Sequence, residues 1–204
     1  MTIAILDYGM GNLRSVARAI EHVGGESLVT EDPATALEAD GLVVPGVGHF
    51  GACMTNLRSR GLDAVVKDFA ASGRPVFGVC VGMQVLFEGS EESPDVPGLG
   101  LFEGVSRRLG AGGMKVPHMG WNHVIWSHGP GHRFTLDIPN TWFYFVHSYA
   151  PWAPDAVGIT SYGDLMIAAA VARDNVFATQ FHPEKSGHWG LELYAKFVRE
   201  VGAR

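Results

Sequence analysis

Short apolar runs alternate with amphipathic stripes through the first half of the chain. Ile3-Ala4-Ile5-Leu6 is apolar at every position, which marks a strand buried on both faces. Asp7-Tyr8-Gly9-Met10-Gly11 predicts a turn, and Asn12 predicts the cap of a helix. Leu13, Val16, Ala17 and Ile20 follow at i, i+3, i+4 and i+7, one helical face, and Gly24-Gly25 end it. Residues 27–30, 42–44 and 75–79 predict three more strands. Leu62, Val65, Val66 and Phe69 repeat the helical stripe before Gly73, and residues 81–87 read as helical. Strand and helix in alternation argue an α/β fold whose parallel sheet is covered on both faces.

The pattern changes after residue 88. Residues 89–113 are rich in Gly, Pro and Ser and read as loop. Strand-like runs then follow at 122–126, 141–146, 157–162, 167–173 and 176–180. Turn residues such as Gly163-Asp164 and Asp174-Asn175 separate them, so antiparallel strands appended to the sheet are expected. Leu193, Phe197 and Val201 predict a closing helix. No internal repeat or linker interrupts the text, and residues 1–204 read as a single domain.

Composition narrows the classes. Apolar residues make up 47% and charged residues 18% of 204, enough for a large core and against disorder. A formal charge of −6 with no basic run argues against nucleic acid and anionic membrane as partners. The longest apolar run, 165–172, falls short of the ~20 residues of a membrane helix, and no secretory leader is expected at the N-terminus. Two cysteines, Cys53 and Cys80, make no disulfide framework, so a reducing cytoplasm is the expected setting.

The sharpest chemical signal is Gly78-Val79-Cys80-Val81-Gly82, a Gly-x-Cys-x-Gly between a strand and a helix. Flanking glycines permit a tight turn that lifts the central side chain clear of the sheet, as in a nucleophile elbow. The Val81 N–H then stands where an oxyanion would form. A nucleophilic Cys needs a base and a group to orient it, and His182-Pro183-Glu184 after the last strand supplies both. In an extended segment His182 and Glu184 point to the same side. The alternatives are a buried inert Cys and a solvated His-x-Glu loop; the two motifs weigh against these because both end strands of the sheet, where such folds place ligands.

Gly46-Val47-Gly48-His49-Phe50-Gly51 is a literal G-x-G-x-x-G. A dinucleotide site wants an acidic residue at the end of the next strand ~20 positions on, and Asp68 lies inside a striped helix instead. The loop is better used to aim a second N–H, from Val47 or Gly48, at the same oxyanion. His118, His123, His128 and His132 lack metal-ligand spacing, so no metal is expected.

The stretches Gly-Val-Cys-Val-Gly-Met-Gln (78–84) and Gln-Phe-His-Pro-Glu-Lys-Ser (180–186) resemble the nucleophile and His/Glu motifs of class I glutamine amidotransferases. Asp-Tyr-Gly-Met-Gly-Asn-Leu (7–13), Pro-Gly-Val-Gly-His-Phe (45–50), Pro-His-Met-Gly-Trp-Asn (117–122) and Phe-Val-His-Ser-Tyr (145–149) resemble those of the glutaminase subunits of imidazole glycerol phosphate synthase. Val81 stands where Leu is commoner, which leaves its backbone N–H unaffected. The resemblance implies a flavodoxin-like, mostly parallel sheet with helices on both faces and appended antiparallel strands. It implies Cys80 as nucleophile, His182 as base and Glu184 as its orienter, with Val81 and the Val47–Gly48 loop as oxyanion donors. Gln84, Glu92, His147, Ser148 and Tyr149 would line the site for L-glutamine, with no cofactor. The implied partner is a (β/α)8 cyclase subunit, as a heterodimer, met at Trp121 and Asn122. Turnover by the isolated chain is expected to be low, because unconsumed ammonia wastes glutamine.

Overall fold

The computed structural model describes residues 1–110, 113–127 and 133–203. The first half follows the alternation: β1 (Thr2–Leu6), α1 (Leu13–His22), β2 (Glu26–Thr30), α2 (Pro33–Leu37), β3 (Gly41–Gly46), α3 (Phe50–Ser59), α4 (Leu62–Ser72), β4 (Val76–Cys80) and α5 (Val81–Gln84). Eight strands and a helix come later. They are β5 (Phe87–Ser90), β6 (Phe102–Arg108), β7 (His118–Trp126), β8 (Thr141–His147), β9 (Tyr149–Pro151), β10 (Ala156–Tyr162), β11 (Leu165–Arg173), β12 (Val176–Thr179) and α6 (Gly187–Gly202).

Among the described residues one sheet has the order β2-β1-β3-β4-β12-β11-β10-β7-β8. Its β2-β1-β3-β4-β12 half is parallel. Pairings from β12 through β8 are antiparallel, as the sequence predicts. The β2-β1-β3-β4 order is that of doubly wound, flavodoxin-like sheets. Right-handed crossovers in opposite directions put α1 on one face and the β3–β4 helices on the other. Consistently, α1 packs on α6, and α4 on α2 and α3. β3 and β4 are buried at every position, as strands covered on both sides must be.

Three expectations need correction. The helix read over 81–87 stops at Gln84. From Val85 onward the carbonyls accept from the returning segment instead: Leu99 N to Val85 O at 2.8 Å and Leu101 N to Leu86 O at 2.8 Å. Residues 89–113 are not all loop, because β5, β6 and β9 form a second small sheet. Its strands alternate poorly, with Phe87 and Phe102 as the buried pair at 5.5 Å, so the apolar pattern hides it. Asn12 caps α1 through its backbone carbonyl and not its side chain. Two helices escaped the pattern: α2, capped by the Asp32 side chain with Pro33 at its start, and α3, with Phe50, Cys53, Met54 and Leu57 buried.

Candidate active site

The parallel strands β3, β4 and β12 deliver their C-terminal ends to one place. β4 ends in Cys80, whose φ of 56° and ψ of −113° are strained for a residue with a Cβ. The turn that holds it is packed backbone to backbone. A Cβ on Gly82 would lie 1.8 Å from the Val44 oxygen, and one on Gly46 would lie 2.4 Å from the Gly82 nitrogen. Glycine is therefore required on both sides of the β3–elbow contact, which sets the Val81 N–H and the 46–48 loop beside one another.

The loop is held from beneath. The buried Tyr8 hydroxyl donates to the Pro45 carbonyl. The Cys53 Sγ meets the Val47 carbonyl at 3.6 Å, and Glu92 Oε2 accepts from the Phe50 N–H at 2.7 Å. Burial pushes the Tyr8 phenol well above its ordinary value and the Cys53 thiol up to about 12, so both keep the proton they donate. Val47 and Gly48 stay exposed at the rim, Gly48 with a φ of +90° that favours glycine.

β12 and its continuation seat the base. Phe181 stacks on Phe143 at 4.2 Å, and the His182 N–H donates to the Tyr144 carbonyl at 2.9 Å, pinning the segment to β8. His182 Nδ1 lies 2.8 Å from Glu184 Oε1, with side chains only 2% and 1% exposed. The pairing arises from a 3-10 turn over Pro183–Lys185 and not from the extended strand the spacing predicts. His182 Nε2 makes no well-aligned hydrogen bond. Burial alone would lower the His182 pKa; the Cys80 sulfur and the Glu184 carboxylate outweigh it and raise the pKa to about 10.

A cleft of about 280 Å³, at the small end of ligand sites, brings the candidates together. Val47, Gly48, Cys80, Val81, Gln84, Glu92, His147, Ser148, Tyr149 and His182 all line it. Glu184 stands behind His182. Gln84 is less a free contact than a strut: its Nε2 donates to the Tyr149 carbonyl at 2.8 Å and to Gln180 Oε1 at 3.1 Å. Gln180, within the 180–186 stretch, has no role evident from sequence. It is fully buried, with Nε2 3.8 Å from Cys80 Sγ, and a polar position closing an apolar strand was its signal.

Trp121 and Asn122 lie outside the cleft and point to opposite faces of β7. Trp121 is 52% exposed, whereas the Asn122 amide donates to Ser161 O at 2.8 Å. Among the described residues no three metal-binding side chains converge; His128 and His132 lie outside them. The arrangement suits acyl transfer: a sulfur nucleophile, an imidazole beside it, a carboxylate orienting that imidazole, and backbone N–H groups at the cleft.

Similarity to known proteins agrees. Residues 4–201 match the family described as glutamine amidotransferase class-I. The imidazole glycerol phosphate synthase subunit HisH of Acinetobacter baylyi is 48% identical over 200 residues, 96% of this chain and 97% of its own. A longer Emericella nidulans protein, imidazole glycerol phosphate synthase hisHF, is 44% identical over 97% of this chain and 38% of its own length. A crystal structure of a glutamine amidotransferase superposes with a TM-score of 0.73 at 20% identity, covering 98% of both chains, which supports the fold.

Proposed function

The chain belongs to the class-I glutamine amidotransferases, and on that footing we propose that it is the glutaminase subunit of an imidazole glycerol phosphate synthase in histidine biosynthesis. It hydrolyses L-glutamine to L-glutamate and ammonia. The observation that carries this is the convergence of Cys80, His182 and Glu184 on one small cleft at the ends of β4 and β12.

The chemistry follows from the placement. The Cys80 thiolate attacks the side-chain amide carbon of glutamine. The N–H groups of Val81 and the 46–48 loop hold the resulting oxyanion, each worth about 10²–10³ in rate. The His182 imidazolium gives its proton to the amide nitrogen, the C–N bond breaks and ammonia leaves a thioester on Cys80. Neutral His182 then takes a proton from water, whose oxygen attacks the thioester and frees glutamate and the thiolate. Glu184 holds His182 in the tautomer this needs. Glu92, Gln84 and the His147–Tyr149 wall bound the glutamine.

His182 must be protonated to release ammonia, and its raised pKa keeps it so below about 10. Glutamate release is expected to fall as pH rises through that value. Glu184→Gln removes one of the charges that raise it, so the alkaline limb should move to lower pH and the rate should drop about 10²-fold. A limb that stays in place would show that Glu184 does not hold the charge.

Ammonia in neutral water is mostly protonated and no longer nucleophilic, so a synthase must receive it directly. The partner is a (β/α)8 cyclase that uses it on a phosphoribulosyl aminoimidazole precursor, giving imidazole glycerol phosphate and an aminoimidazole carboxamide ribotide. Met119, Trp121, Ile125 and Trp142 form an exposed apolar face on β7 and β8 suited to that docking. Trp121→Ala is expected to raise the cyclase Kd about 30-fold, read by titration calorimetry. An unchanged Kd would place the interface elsewhere. The proposed setting is the cytoplasm, in keeping with the free cysteines Cys53 and Cys80.

The decisive experiment measures glutamate release with and without a (β/α)8 cyclase and its ribulosyl substrate. Strong stimulation supports the assignment. Turnover indifferent to that partner points to another synthase, and no turnover in any condition overturns the glutaminase reading.

A further inference from the structure

A single line of hydrogen bonds runs from the exposed strand β7 to the nucleophile. Asn122 Nδ2 donates to Ser161 O at 2.8 Å and lies 3.2 Å from His118 Nε2. His118 Nδ1 lies 2.9 Å from His147 Nε2, and His147 Nδ1 lies 2.9 Å from the Tyr149 carbonyl. That carbonyl also accepts from Gln84, whose second proton goes to Gln180, and Gln180 reaches Cys80 Sγ.

The chemistry of the two ends fixes every proton between them. The Tyr149 carbonyl only accepts, so His147 carries its proton on Nδ1 and offers a lone pair at Nε2. His118 must then donate from Nδ1 and accept at Nε2 from the Asn122 amide. Burial, as the largest influence, lowers the pKa of His118 to about 4 and of His147 to about 3, so both rings stay neutral and this one pattern persists at working pH. Packing fixes the ring as firmly. His118 stacks between Phe145 at 4.9 Å and Tyr162 at 4.1 Å, and pairs with His147 across β7 and β8. The base of the triad is seated through other contacts, at Phe181 and Tyr144.

We propose that His118 is a positioning residue for the glutamine site: through His147 it sets the Tyr149 carbonyl, and with it Gln84 and Gln180, and it ties that wall to the strand bearing Trp121. This rests on the glutaminase reading above. His118 does not line the cleft, so its influence belongs in glutamine binding and in the response to the partner, more than in the chemical step.

The test compares His118→Phe with His118→Asn in the complex with the cyclase. Phenylalanine keeps the stacking and removes both hydrogen bonds, stranding His147 Nε2. Asparagine restores a donor where Nδ1 stood. His118→Phe is expected to raise KM for glutamine about tenfold with kcat changed less than about threefold, and to blunt stimulation by the cyclase at unchanged cyclase affinity. His118→Asn is expected to recover most of the KM. A KM within about twofold of wild type in His118→Phe overturns the proposal, as does a defect that asparagine fails to relieve. If His118→Phe does not fold, Asn122→Ala decides: about threefold in KM supports the proposal and no change overturns it. Failure of the glutaminase reading would show separately, as a wild-type complex that releases no glutamate in any condition.

Discussion

Cys80→Ala is expected to lower glutamate release at least about 10⁴-fold while leaving product formation from added ammonia close to wild type. The size follows from the way the groups act. His182 and Glu184 accelerate nothing unless a nucleophile stands beside them, so removing the sulfur silences all three together. Cys53 cannot substitute. Burial pushes its thiol up to about 12, and its sulfur is directed to the Val47 carbonyl. Cys53→Ser should therefore keep most of the activity that Cys80→Ala loses. A residual rate above about 1% in Cys80→Ala would mean that water attacks without a covalent intermediate, and the assignment of Cys80 would fall. The backbone supplies an independent check. Cys80 sits at a φ of 56°, where alanine is strained and glycine is not. Cys80→Gly should be the more stable of the two inactive variants, by about 1 kcal/mol in urea unfolding. Equal stabilities would show that the elbow stores no strain at this residue.

Most of this site was legible because its chemistry sits where the text is most regular. Apolar strands with glycine at their ends announce β3 and β4, and the turn at residues 78–82 announces Cys80. His182 and Glu184 were found for a partly mistaken reason. Their spacing was read as an extended segment, whereas Pro183 opens a 3-10 turn that brings the two side chains together. Interior polar residues were harder to read. Gln180 and His118 look like ordinary strand residues until three-dimensional pairing gives them partners from distant parts of the chain, such as Gln84 and His147. Asn122, expected at the partner surface, is half-buried with its amide on Ser161 O and near His118, because a strand presents neighbours to opposite faces. The small sheet of β5, β6 and β9 was missed for a related reason. Its hydrogen bonds come from segments far apart in sequence, and its Gly- and Arg-rich strands carry little apolar alternation.

The second large effect is expected from a single methyl group. Gly82 lies in the short helix α5 at a backbone conformation open to any residue, and by helix propensity alone alanine there should stabilise by about 1 kcal/mol. Space reverses the sign. The added Cβ would sit 1.8 Å from the Val44 oxygen and 2.8 Å from the Val44 carbonyl carbon, both main-chain atoms of a strand buried at every position. No side chain is there to rotate away, so either α5 or β3 must move, and the two carry the Val81 N–H and the 46–48 loop. Gly82→Ala should cost about 3 kcal/mol or more in denaturant unfolding. Glutamate release should fall by more than the folded fraction explains, because the surviving molecules hold their oxyanion donors apart. Gly89→Ala is the matched control: its Cβ would meet nothing closer than 3.7 Å, and its stability should change by less than about 1 kcal/mol. A Gly82→Ala protein as stable and active as the control would show that β3 and the elbow do not rely on backbone contact, and the packing account of the oxyanion site would fail with it.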